Sequence, residues 1–157
     1  MPVEENLMQA ILLTFGTAMV PVLELRGAIP YGLAAGLDPW LTYLAAAAGN
    51  MVPVPFIMIF IRRIFNWARE HSRWLGNRVR WLEDRAEKKS DLVQRYALAG
   101  LTILVAIPLP GTGAWTGALV AALMNIRLRQ SFPAVLLGVL IAGVIMLLIC
   151  GGISLIF

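Results

Sequence analysis

Apolar positions dominate this chain in four long blocks, with one polar stretch between the second and third. Residues 7–37 are apolar but punctuated by Gly16, Pro21, Gly27, Pro30, Gly32 and Gly36. Residues 39–61 form a run of about 23 predominantly apolar positions, long enough to cross a bilayer. Residues 62–95 are polar, and 97–126 are apolar again, broken midway by Pro108-Leu-Pro-Gly-Thr-Gly113. Residues 132–157 close the chain with about 26 apolar positions, enough for a tilted span. The order of broken block and unbroken block occurs twice, which predicts an internal repeat. A weak residue-level trace accompanies it: Gly27/Gly113, Ala28/Ala114, Ala35/Ala121 and Leu37/Leu123 coincide when 27–37 is laid on 113–123.

Each broken block is too long for one crossing of about 20 residues and too short for two. A re-entrant helical hairpin or a helix broken midway remains, and irregular backbone at membrane depth is tolerated only where protein or a cavity surrounds it. Charge favours the hairpin. Ten of the 13 Lys/Arg lie between Arg62 and Arg95, which puts that stretch in the cytoplasm. A hairpin at 97–126 keeps Arg127 and Arg129 on the same side, and a hairpin at 7–37 leaves Glu4, Glu5 and Asp38 together outside. The expected fold is therefore an all-α integral membrane domain spanning 1–157, an inverted repeat of re-entrant hairpin plus transmembrane helix. Both termini are expected outside. Inverted repeats with discontinuous helices are a transporter arrangement. In the linker, Phe65, Ala68, Ser72, Leu75, Val79, Leu82, Ala86, Lys89, Val93 and Tyr96 fall at steps of three and four, with Trp67, Trp74 and Trp81 every seven. That predicts an amphipathic helix, broken at Gly76-Asn77 or continuous, which lies at the headgroups, packs on the membrane body or pairs with a second copy.

Composition agrees with a membrane protein. The chain is 59% hydrophobic and 14% charged, against about 45–50% and 25% in soluble proteins. The net charge of +4 is an orientation signal, with no motif pointing to nucleic acid. Cys150 is alone, so no disulfide is expected, and its apolar surroundings suit a packing residue. Met1 to Asn6 carries Glu4 and Glu5 and no basic residue, so no cleaved signal peptide is expected. His71 has no metal partner nearby in sequence. Neither a cofactor nor an enzyme constellation is expected: one His and one Cys make no metal cluster or catalytic pair, no phosphate-binding glycine loop occurs, and Ser154 has no partner base.

The candidate chemistry is membrane-embedded. Glu24 and Arg26 stand in Pro21-Val-Leu-Glu-Leu-Arg-Gly-Ala-Ile-Pro30. Ionisable groups cost a few kcal/mol each in the hydrocarbon, which makes them functional candidates. Residues two apart do not meet on a helix, so an extended turn bounded by Pro21 and Pro30 is expected to bring them together. Glu24 is a candidate proton carrier, and Arg26 a partner for it or for a phosphate or carboxylate; the alternative is a structural ion pair that closes the hairpin. In the second broken block Pro108, Pro110, Gly111 and Gly113 cannot all continue a helix. A new helix is expected from about Gly113, with Thr112, Trp115 and Thr116 lining its tip. Its N-terminus would favour an anion, shared with Arg26. Pro53 and Pro55 free the carbonyls of Gly49 and Met51 beside Asn50, which gives either a coordination site for a cation or water, or a plain kink. Gly32-xxx-Gly36 and Gly113-xxx-Gly117 predict close helix packing.

Three stretches carry a resemblance: 21–32 (PVLELRGAIPYG), 49–56 (GNMVPVPF) and 107–118 (IPLPGTGAWTGA). Together they are similar to the small multidrug export family of prokaryotic membrane proteins, over nearly the whole chain. The chain also distantly resembles the DedA family, with two re-entrant hairpins in an inverted arrangement. The first resemblance implies export at the prokaryotic plasma (inner) membrane by a multi-pass protein. The second implies proton-dependent translocation of undecaprenyl phosphate or another lipid, and marks Glu24 and Arg26 as the embedded charged site. DedA proteins usually carry further charges around the second hairpin, and this chain has none there. Three functions follow: a secondary transporter of a small amphiphilic or lipid-like substrate, a DedA-like lipid translocase, or a non-transporting scaffold. The expected partners are membrane lipids, protons and a second copy of the chain.

Overall fold

Capping chemistry sets where the helices begin and end. In the computed structural model, residues 2–71, 91–109 and 111–156 are described, and every regular element among them is an α-helix. In chain order these are α1 (Pro2–Met19), α2 (Glu24–Ala34), α3 (Pro39–Met51), α4 (Pro53–His71), α5 (Asp91–Ala106), α6 (Ala114–Leu123) and α7 (Leu128–Ile156). α2 ends in a Schellman motif: Gly36 takes φ +82°, its N–H donates to Leu33 O, and Leu37 N–H donates to Gly32 O. Two residues later Asp38 accepts from the N–H groups of Trp40 and Leu41, with Pro39 at the first helical position, and α3 begins. α6 ends the same way with Asn125 at φ +55°, Asn125 N–H donating to Ala122 O and Ile126 N–H to Ala121 O.

α3 and α4 are separated only at Val52. Pro53 and Pro55 therefore lie in the first turn of α4, where a missing N–H costs little. Together the two helices supply a span from Pro39 to Ile64, and α7 supplies a second from Leu128 to Gly151. Both are long and apolar enough to cross a bilayer. The expected boundaries at 61 and 132 were drawn by charge. The helices run through them, so Arg62 and Arg129 belong to α4 and α7. α2 with 11 residues and α6 with 10 are each about 15 Å long, half of the ~30 Å hydrocarbon core. The expected amphipathic pattern at 72–90, with Trp74, Trp81 and Gly76-Asn77, lies outside the described residues.

α1 packs on α2 and α3, and α5 packs on α6 and α7. The halves join where α6 lies on α4 and where α2 and α3 lie on α7. Lipid tails are as apolar as leucine, so close van der Waals fit and interhelical hydrogen bonds hold such helices together. Small residues supply the fit: Ala18, Ala28, Ala46, Ala114, Ala118 and Ala121 are fully buried. At Gly49 a Cβ would run into the carbonyl of Phe15 on α1. At Gly138 it would lie 2.8 Å from the carbonyl of Thr102 on α5. The Thr102 hydroxyl meets Ala134 O of α7 at 3.0 Å, and Tyr43 OH of α3 donates to Leu140 O at 3.1 Å. Outward, Leu12, Phe56, Phe60, Leu137 and Leu148 are each more than half exposed, an apolar surface suited to lipid.

Three expectations change. The paired glycine motifs are not two packing motifs: Gly32 abuts Thr42 and Thr14, and Gly117 abuts Val105, but Gly36 faces open space and terminates α2, while Gly113 precedes α6. Gly27 is the fourth residue of α2 whereas Gly113 precedes α6, so the four coincident residues do not occupy equivalent helix positions. Glycine and alanine recur so often in these helices that such coincidences arise without equivalence. Pro30 is inside α2 and closes no turn.

Gly49→Ala is expected to destabilise the protein by about 1–3 kcal/mol, because helix backbone cannot move aside as a flexible side chain would. Gly16→Ala, with nothing within 4 Å, is expected to be neutral or stabilising by up to about 1 kcal/mol. Thermal unfolding in detergent compares the two.

Candidate functional site

The first turns of α2 and α6 interlock. The turn through 20–23 carries Pro21, and the chain enters α2 with Glu24 at φ +45°. A glutamate in the left-handed region costs of order 1–3 kcal/mol, and such strain clusters at functional sites. The expected extended turn around Glu24 and Arg26 is therefore a helix start. The two side chains approach because Glu24 leaves the helical path: Arg26 Nη2 lies 3.9 Å from Glu24 Oε2.

Both residues reach across to the other half. Glu24 Oε1 accepts the backbone N–H of Trp115 at 3.2 Å, and Arg26 donates from Nη2 to the carbonyl of Thr112. They straddle Gly113, whose backbone (φ +142°) and missing side chain make room for them. A Cβ there would collide with Glu24 Oε2. α6 starts at Ala114, directly after Gly113 as expected, and the group at its N-terminus is the chain's own Glu24, 5% exposed. The dipole of α6 and its free N–H groups favour the charged carboxylate. The charge-assisted bonds offset part of its desolvation.

The turn before α6 is held by its own threonines. Thr112 Oγ1 contacts Ile107 O at 2.6 Å and Leu109 O at 2.8 Å and accepts Leu109 N–H at 3.1 Å. Thr116 Oγ1 donates to Gly111 O at 2.9 Å. The Trp115 indole N–H donates to Met19 O at 3.1 Å, closing the C-terminal end of α1. Trp115 and Thr116 thus brace the tip, and it is the Trp115 backbone that touches Glu24.

A small cleft opens beside the interlock, with room for about one water molecule. Glu24, Arg26, Asn50, Pro108, Thr112 and Gly113 line it, walled by Leu25, Val105 and Ala142. Asn50 is 1% exposed and its Oδ1 has no hydrogen-bond partner. Of the candidates read from sequence, Pro30, Pro53, Pro55 and Gly111 shape helices and turns away from the cleft, and Pro110 lies outside the described residues. Sequence inspection missed Leu25, Val105 and Ala142, since apolar wall positions carry no chemical signal. It also counted Arg62 with the solvated linker, whereas its guanidinium donates to Ile126 O at the corner after α6. No group of three potential metal ligands occurs among the described residues.

A family model described as "Putative small multi-drug export protein" matches residues 24–145, more than half of the chain and inclusive of both interlocked helix starts. No curated protein and no solved structure matches the chain.

Gly113→Ala is expected to cost about 2–4 kcal/mol, combining backbone strain with the collision at Glu24. Gly111→Ala, at φ +85° but with nothing within 4 Å, is expected to cost about 1–2 kcal/mol, the strain alone. Denaturation midpoints in one detergent measure the difference.

Proposed function

The chain belongs to the family described as "Putative small multi-drug export protein", and from that premise we propose that it is a proton-coupled secondary transporter that exports or translocates a small amphiphilic or lipid-like substrate across the prokaryotic inner membrane. The observation that carries this is Glu24: a buried carboxylate, held by Arg26 and by the N-terminus of a half-length helix, beside a cleft. With Glu24 charged, α2 and α6 are tied together. Protonation removes the charge that the α6 dipole and Arg26 attract and so loosens that tie. A proton then shifts the balance between two arrangements of the half-helices, which is what coupling requires.

The inverted repeat of re-entrant hairpins belongs to the same proposal. It is supported by the matching packing order of α1–α3 and α5–α7, by glycines 49 and 138 facing carbonyls of α1 and α5, and by the two Schellman endings. α2 and α6 are too short to cross, and their starts meet, as half-helices do in transporters built this way. One embedded ion pair per chain makes a homodimer with two sites part of the proposal. The DedA-like alternative, translocation of a phosphorylated lipid, is favoured by Arg26, whose side chain is 24% exposed and whose fork suits phosphate.

Glu24→Gln is expected to abolish proton-driven uptake into liposomes while leaving the fold intact, since an amide oxygen still accepts the Trp115 N–H. Unchanged flux would remove proton coupling through Glu24. Arg26→Ala is expected to weaken binding of a neutral amphiphile little; a loss confined to a phosphorylated lipid would select the alternative. For topology, single cysteines at Glu5 and Arg129 in a Cys150→Ala background are expected to label from opposite faces of the membrane. Labelling from one face would overturn the inverted arrangement.

A further inference from the structure

Asn50 is a packing anomaly. It is buried on α3, 1% exposed, its side-chain carbonyl has no hydrogen-bond partner, and the residue lines the cleft beside Glu24. An unmet buried acceptor costs about 1–3 kcal/mol, so buried polar groups almost always have partners. Packing does not demand an amide there. Gly49 abuts the backbone of α1 as Gly138 abuts that of α5, and the residue that follows Gly138 is Val139, fully buried. A valine fills that place in one half; an asparagine fills it in the other, where the carboxylate is.

Several donors around the cleft already have acceptors. Arg26 serves the Thr112 carbonyl, the Thr112 hydroxyl serves Ile107 and Leu109, and the Trp115 N–H serves Glu24 itself. Leu25, Val105, Pro108 and Ala142 offer none from their side chains. Among the described residues the charged groups facing the cleft are Glu24 and Arg26, both from α2; α3 contributes Asn50, and α5, α6 and α7 contribute no ionisable side chain. What the Asn50 carbonyl lacks is a donor, and the one that a proton-carrying site would create is the O–H of a neutral Glu24.

We propose that Asn50 is the positioning residue for the protonated state of Glu24, its Oδ1 accepting the carboxyl hydrogen directly or through the single water that the cleft admits. The inference rests on Glu24 as the proton carrier and adds where the neutral form is held. The proton arrives from water, forms an O–H bond at a Glu24 oxygen, and returns to water from that oxygen. The charged carboxylate belongs to α6 and Arg26, whereas the neutral carboxyl belongs to α3. Exchange of one proton therefore moves the side chain's allegiance between the two halves of the molecule.

Infrared difference spectroscopy of the full-length protein in lipid, stepped in pH, tests this with water and protons as the only ligands. The wild type is expected to show a protonated-carboxyl band that disappears in Glu24→Gln. In Asn50→Val the band is expected to move to the higher frequency of an unbonded acid. The proton affinity of Glu24 is expected to fall about tenfold, since one hydrogen bond to the neutral form is lost. Thermal stability of Asn50→Val is expected to equal or exceed that of wild type at alkaline pH and to fall below it at acid pH; a merely structural asparagine would lower it at both. Asn50→Ser, which keeps an acceptor, is expected to restore most of the band position. A Glu24 band unmoved in both variants overturns the role of Asn50 and leaves Glu24 as carrier. A band that survives Glu24→Gln, or the lack of any such band in wild type, overturns both.

Discussion

Everything at the centre of this molecule depends on one constraint: a carboxylate taken out of water must be given partners. Glu24 finds them at the N-terminus of α6 and in Arg26. Meeting that demand fixes several features that would otherwise look unrelated. α2 must begin with Glu24 in a left-handed backbone conformation so that the side chain turns off the helix and across to the other half. Residue 113 must lack a side chain, since a Cβ would collide with a carboxylate oxygen. α6 must begin there, because only a helix start presents unbonded N–H groups and a positive dipole end.

Around that centre the helices are held by proximity. Gly49, Gly138 and the buried alanines let backbones approach closely, and hydroxyls such as those of Thr102 and Tyr43 reach carbonyls of neighbouring helices. Side-chain burial drives little association between helices in lipid, so fit must do it. The result is a frame of α1, α3, α5 and α7 packed around two short helices whose starts meet. The strained, charged and poorly satisfied groups (Glu24, Arg26, Asn50) are gathered at that meeting point.

Much of this was legible beforehand. Glu24 and Arg26 stood out because charges are expensive in apolar sequence, and Gly113 stood out because proline and glycine cannot continue a helix. Asn50 was noticed for the prolines after it, which interrupt the span at Val52; its standing as an unpartnered acceptor is a three-dimensional fact. The four identities between 27–37 and 113–123 fall at different helix positions, because alanine and glycine recur too often in membrane helices for so few matches to carry weight. Arg62 was counted with the linker because charge alone does not reveal that a helix continues through it and turns its guanidinium onto Ile126 O.

The sequence by itself determined that this is a helical membrane protein, where its helices break, and which two charges lie among apolar residues. Those follow from local chemistry: hydropathy, missing N–H groups and capping residues act within a few positions. Only the tertiary structure decided what the charges touch. Glu24 and Trp115 are 91 residues apart, and no periodicity in either block says that the carboxylate of one caps the helix of the other. Likewise it took packing to place Asn50 beside Glu24, since that juxtaposition arises from how closely α3 and the two short helices can approach, which side-chain volume across the whole core sets.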